Sequence, residues 1–282
     1  MGIALQLTAG YERQIATNLS LSADYIHTQA RDQFMLRDLN PGVRASTART
    51  ATVLRVNPAF TAAVSQPVNV GKIDYDGLEA ALVKRFASDY SFRVSYTLGY
   101  ARGNTTGLGI PTSGFQFLDD MHLELNEGPT NFDRRHNLVV SGQALVPRAR
   151  GVAVSWVARA VTGTPFTLVD STLDPDRNGL FTEPLPEGTY TGTGLNPYIA
   201  HVKNERNGAT GPGLFQLDLR LGYRARHAGR TVDLFADVFN VTNRANFDNP
   251  IGDQRSTDFL RLTTLRPGAV PTTMQLGVRY EF

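Results

Sequence analysis

Apolar and polar residues alternate along the last strand-like segment of this chain, and the same pattern returns along its whole length. Residues 271–282 read PTTMQLGVRYEF. Thr272, Met274, Leu276, Val278, Tyr280 and Phe282 fall on one face, and Thr273, Gln275, Gly277, Arg279 and Glu281 on the other. Side chains alternate faces along a strand, so the segment has one greasy and one wet face. One such strand fits a soluble sheet equally well. Its recurrence, at lengths suited to crossing a bilayer, predicts an all-β fold, an antiparallel transmembrane β-barrel meander.

The spacing predicts about nine strands. They cover roughly 3–15, 19–38, 70–86, 90–103, 134–146, 151–169, 213–226, 230–243 and 271–282, and FLRLTTLR at 259–266 reads as a short extra strand. Turns near 17, 88, 149 and 228 are short. The segments at about 40–67, 104–132, 171–211 and 244–270 are long and rich in Gly, Pro, Asn and Asp. Alternating short turns and long loops is the asymmetry of outer-membrane barrels; a soluble sandwich would vary its loops without that rule, on shorter strands. Tyr11, Phe92, Tyr100, Tyr223, Tyr280 and Phe282 near strand ends suit an interfacial girdle, or the core of a soluble sheet. Polar residues such as Asp218 with Arg220, and Arg279 with Glu281, are expected to pair along a hydrated lumen.

The mean hydropathy of −0.23 resembles that of a soluble protein, but half of each barrel strand faces water, so it does not argue against a membrane. No apolar run approaches the 18 or so residues of a spanning helix. With no cysteine, disulfides, thiolate metal sites and a Cys nucleophile are excluded. A net charge of +2 without a dense Lys/Arg run argues against a nucleic-acid partner. No nucleophile is indicated near His136 or elsewhere, so no enzyme activity is expected. His136, beside Asp133, Arg134 and Arg135, reads as part of a polar cluster at a strand mouth. The start, MGIALQLTAGYERQ, shows no signal-peptide pattern. An exported barrel needs one, which implies a removed leader or a piece of something longer.

Asp174-Pro175-Asp176-Arg177-Asn178-Gly179 has the D-x-D-x-N-G spacing of a calcium loop. Asp174, Asp176 and Asn178 are the candidate metal ligands and calcium the candidate cofactor. The twelfth position, normally Glu, is Leu185, so Glu183 or Glu187 would have to serve with altered geometry. A solvated Asp/Asn turn is the alternative.

Several segments resemble the carboxy-terminal barrel of TonB-dependent outer-membrane receptors, in the Oar-like branch. They are DYDGLEAALVKRFASDYSFRVSYTLGYARG (74–103), NFDRRHNLVVSGQALVP (131–147), TGTPFT (162–167), DLFADVFNVTNRANFDNP (233–250) and the terminal MQLGVRYEF. Asn240, Asn243 and Asn246 in FNVTNRANF end a strand and are expected to shape the turn by bonding their own backbone. The resemblance implies a larger, 22-strand barrel around a plug. Residues 1–282 then form a partial outer-membrane barrel domain, its carboxy-terminal part, without plug or signal peptide. Its partners would be membrane lipid, the plug and remaining strands, the TonB system indirectly, and an unknown large nutrient. The alternative function is a plug-less barrel for adhesion or display.

Overall fold

The computed structural model describes residues 2–105 and 119–282. The predicted loop at about 104–132 therefore lies partly outside the described residues. Nine long antiparallel strands follow one another as a meander. They are β1 (Ile3–Ala16), β2 (Leu19–Asp38), β3 (Ser65–Ala87), β4 (Tyr90–Gly103), β5 (His136–Leu145), β6 (Val152–Val161), β7 (Leu214–His227), β8 (Arg230–Phe239) and β9 (Thr273–Glu281). Each pairs with its sequence neighbour. Among the described residues, β1 pairs only with β2 and β9 only with β8, so the sheet has two open edges. The expected strand count holds, as does the alternation of short and long connections.

Local chemistry sets the short turns. Two residues join β1 to β2, β3 to β4 and β7 to β8. In Ser88-Asp89 and Ala228-Gly229 both residues have positive φ, the mirror-image turn whose twist matches a hairpin. Gly229 takes φ +79° without a Cβ penalty.

One face of the sheet is apolar and uncovered. Neighbouring strands place Leu276, Ala236, Leu221 and Val154 in one row and Val278, Leu234, Tyr223 and Val152 in the next. Leu276 and Val278 are each 71% exposed. A contiguous greasy face of this extent needs an apolar solvent, and the shortest strand, with 9 residues, is long enough to cross a bilayer obliquely. The single tryptophan, Trp156, lies on this face and covers Gly142, where an added Cβ would sit 2.4 Å from its ring.

Higher on the same face the greasy row gives way to polar-tipped rings. Tyr25 Oη donates to Asp76 at 2.6 Å, His27 Nδ1 lies 2.7 Å from the same carboxylate, and Tyr96 Oη lies 2.8 Å from His136 Nδ1. His27 is eight residues above the β1–β2 turn, about 26 Å of strand. At the usual 35–45° tilt that is about 20 Å of height, toward the cap end of the wall, where amphipathic rings suit the boundary between lipid and water.

The long connections build a packed cap at the other end of the strands from the short turns. Three two-stranded ribbons form there: Gly42–Arg44 with Val53–Arg55, Pro165–Phe166 with Ala209–Thr210, and Gly188–Thr191 with Ile199–Val202. Among the described residues, the buried apolar cluster belongs to this cap: Leu168, Leu185, Ala200, Val202, Phe259 and Leu260.

Four expectations are corrected, beginning with the third strand, which starts at Ser65 rather than 70. The sixth strand ends at Val161 rather than 169, and the eighth at Phe239 rather than 243. Residues 259–266 form no strand. Phe259 and Leu260 are both buried although adjacent, which alternation forbids against a single core face, and Leu260 has φ +50°.

These 282 residues hold no cysteine, so labelling of single-cysteine variants is read against the unsubstituted whole protein. On intact cells carrying the whole protein, Leu195→Cys, at a cap residue 78% exposed, should react with an impermeant maleimide. Ala228→Cys should react only after permeabilisation. Labelling at 228 and not at 195 would invert the assignment.

Candidate functional site

The polar face carries ordered charge rows. Arg220 Nε and Nη2 donate to Asp237 Oδ1 and Oδ2 at 2.5 and 2.8 Å, and Arg224 grips Asp233 with the same two distances. Both pairs lie across the β7–β8 ladder, where facing residues are closer than residues two apart on one strand. This corrects the expected Asp218–Arg220 pair. Asp218 instead accepts from Gln216 Nε2 and from the Asn240 backbone N–H. Arg279 does contact Glu281, at 2.5 Å. A cleft of about 860 Å³ opens on this face near the short turns, with Arg148, Arg150, Arg220, Arg224 and Arg279 at its wall against Asp89 and Asp233. The surface is wet, strongly dipolar and net basic.

At the strand-to-cap junction the three asparagines divide the work. Asn240 and Asn243 hold φ of +47° and +49°, a conformation Asn tolerates better than most residues. Asn240 Nδ2 donates to the carbonyls of Arg244 and Val270, and its Oδ1 accepts the Arg244 N–H at 3.2 Å. Asn243 Oδ1 accepts the Thr272 N–H. Like Asn243, Asn246 does not bond its own turn as expected. Its carboxamide bonds both the N–H and the C=O of Phe215, extending the β7 ladder by a side chain. Asn240→Ala removes buried hydrogen bonds and leaves a strained φ, each worth about 1–3 kcal/mol. Protease digestion of the membrane-inserted protein should cut between 240 and 272 much faster in this variant, with the other loops unchanged.

The candidate calcium loop sits in the cap. Asp174 is fully buried, and its Oδ2 accepts the Gly179 N–H at 2.9 Å and contacts Arg44 Nε at 2.8 Å. Asp176 Oδ1 accepts the Asn178 N–H and Oδ2 accepts its Nδ2. Asn178 Oδ1 accepts the Leu180 N–H at 2.8 Å. The residue brought to Asp174 and Asp176 is Glu183, and one ligand oxygen of each lies within 4.8 Å of the others. Leu185 is buried in the cap's apolar cluster, and Glu187 is exposed. Burial, with Asp176 and Asp174 alongside, pushes the Glu183 carboxyl up to about 7. Burial also raises Asp176, reinforced by Asp174 and Asp119.

Arg44 and Asp119 were not legible as members of this region. Arg44 stands 130 residues before Asp174, and only the folded cap joins them: the Arg44 N–H donates to the Arg177 carbonyl, and Arg177 Nε donates to that of Arg44. Asp119 Oδ1 accepts the N–H groups of Met121 and His122.

No curated protein matches this sequence. Among solved structures, the outer membrane transporter YddB from Escherichia coli has a similar fold, with a TM-score of 0.51 and 11% identity. The similarity covers 99% of this chain and 32% of that one, so the chain spans about a third of the transporter's length. At that identity the likeness speaks for the fold alone. The family model for the outer membrane beta barrel domain matches residues 2–276. With its bare apolar face, charged inner face and alternating connections, the chain belongs to the outer membrane beta barrel domain family and resides in the outer membrane.

Proposed function

We propose that this chain is the carboxy-terminal wall of a TonB-dependent receptor of the Oar-like kind, which takes up a large nutrient such as an oligosaccharide, peptide or metal chelate. The open nine-strand sheet carries the reading. In lipid every unpaired backbone N–H or C=O costs several kcal/mol, so β1 and β9 require further strands to pair with. Bacterial single-chain barrels have even strand numbers, and nine is odd. The likeness to one third of a longer outer membrane transporter supports the same reading. A wider barrel has a lumen that needs a plug, and the basic cleft beside Arg220 and Arg224 suits an acidic plug surface. The chain then performs no catalysis; uptake is driven through TonB by the plug that the wall surrounds.

The packed cap favours a second reading, display of outer loops to a partner, because it has its own apolar cluster and exposes Leu54, Val56 and Phe60. Binding to TonB separates the two. The intact protein, extracted from outer membranes in detergent, should bind the purified periplasmic domain of TonB. Deleting the segment amino-terminal to the plug should abolish that binding. An intact protein without a plug that fails to bind would sink the transport reading and leave display.

A further inference from the structure

We propose that Asp174, Asp176 and Glu183 bind a hard divalent cation, calcium in the first instance, which fixes the 174–183 segment within the cap. The three oxygens lie within 4.8 Å of one another. Two oxygens bound to one calcium at about 2.4 Å are never more than about 4.8 Å apart, so the cluster already has the dimensions of a coordination shell. A second observation points the same way. Asp174 has no exposed surface and its Oδ1 accepts no hydrogen bond, while both Glu183 carboxylate oxygens are also buried without a partner. Buried carboxylate oxygens rarely go unsatisfied, and an ion is one of the few things that satisfies three at once.

The charge balance agrees. Arg44 contacts Asp174 but spends its Nη groups on the carbonyls of Arg49, Ala51 and Gly179. That guanidinium contacts one of the three carboxylates. Asp119, whose Oδ2 is buried without a partner, adds negative charge felt at Asp176. Carboxylates without imidazole or thiolate select hard cations. Calcium accepts irregular oxygen shells, whereas magnesium demands a near-ideal octahedron and keeps its water.

The site departs from the motif that suggests it. The Asn178 carboxamide oxygen holds the Leu180 N–H, and Glu183 supplies the third carboxylate from five residues further on. Asp174 is fastened to the 42–55 ribbon through the Thr47 carbonyl, which accepts its N–H, and through Arg44. All three ligands lie on the connection between β6 and β7, so a cation there fixes that connection, and the Thr47 and Arg44 contacts carry the constraint to the connection between β2 and β3.

The test uses the intact protein, purified from outer membranes in detergent and stripped with EGTA. Titration calorimetry with calcium chloride should show one cation per chain, at a Kd of about 10⁻⁴–10⁻³ M, the range of extracellular calcium sites. Magnesium chloride should bind at least about tenfold more weakly. Trypsin cleavage after Arg49 and Arg177 should slow at least about tenfold in calcium relative to EGTA. Glu183→Gln and Asp176→Asn, which leave the Arg44–Asp174 pair in place, should lose that protection and weaken calcium at least about tenfold, with heat-modifiable migration of the barrel unchanged. No calcium heat with identical digestion in calcium and EGTA would overturn the proposal. So would wild-type affinity in Glu183→Gln, and magnesium binding equal to calcium would overturn the choice of ion.

Discussion

Refolded by itself into detergent or liposomes, the 282-residue chain should give aggregate or edge-paired dimers and no monomeric, heat-modifiable barrel. The expectation follows from β1 and β9, strands of 14 and 9 residues whose outer edges are unpaired among the described residues. Alternate residues of an edge strand point both N–H and C=O outward, so each edge presents on the order of ten orphan groups. At several kcal/mol each in hydrocarbon, the sum far exceeds the 5–15 kcal/mol that keeps a typical domain folded. Edge-to-edge pairing with another copy removes most of that cost, so dimers are the expected soluble escape. Joined to strands that cover both edges, the same chain should insert. A protease-resistant monomer whose gel mobility shifts on heating would mean that nine strands close unaided, and the receptor reading would fall.

Leu221→Arg should destabilise the membrane-inserted state of the intact protein by about 2–4 kcal/mol, while Gly222→Arg should have little effect. The two positions are adjacent in the middle of β7 and therefore at one depth. Leu221 belongs to the bare apolar row. Gly222 opens on the lumen cleft, and a Cβ there meets nothing closer than 3.9 Å. An Arg facing lipid at the midplane costs about 2–4 kcal/mol, and close to nothing in a hydrated lumen. Since 1.4 kcal/mol is a factor of ten, the folding equilibrium should fall by roughly 30- to 1,000-fold for the first variant only. Folding into liposomes followed by urea titration reads the difference. Equal effects would mean that both faces meet water.

What the amino-acid order revealed was the wall. Period-two alternation is written locally, so Leu19 and Arg230 start their strands where the pattern places them. Ends set by backbone geometry were less visible. Nothing in VFNVTN says that the strand stops at Phe239, because the stop is the left-handed turn at Asn240. The cap misled for a different reason. In FLRLTTLR the alternation is spoiled by two neighbouring buried residues, Phe259 and Leu260, which pack into a cluster assembled from three distant segments. The cation cluster was half legible. Asp174 and Asp176 share a familiar spacing, but the place of Glu183 depends on how the loop turns, and Arg44 arrives from another connection altogether.

The apolar cluster confined to the cap divides the protein between two solvents. The wall's greasy surface keeps hydrocarbon beside it whether its strands are paired or separated within the bilayer. Only the cap moves apolar area from contact with itself to contact with water. The heat-capacity increment and the urea sensitivity of unfolding both scale with apolar surface newly hydrated. Most of both therefore belongs to residues 162–213 and 240–272, where Leu168, Leu185, Val202, Phe259 and Leu260 meet. Temperature and denaturant thus act first on the part that faces the outside world, and the thickness and composition of the lipid govern the part that does not.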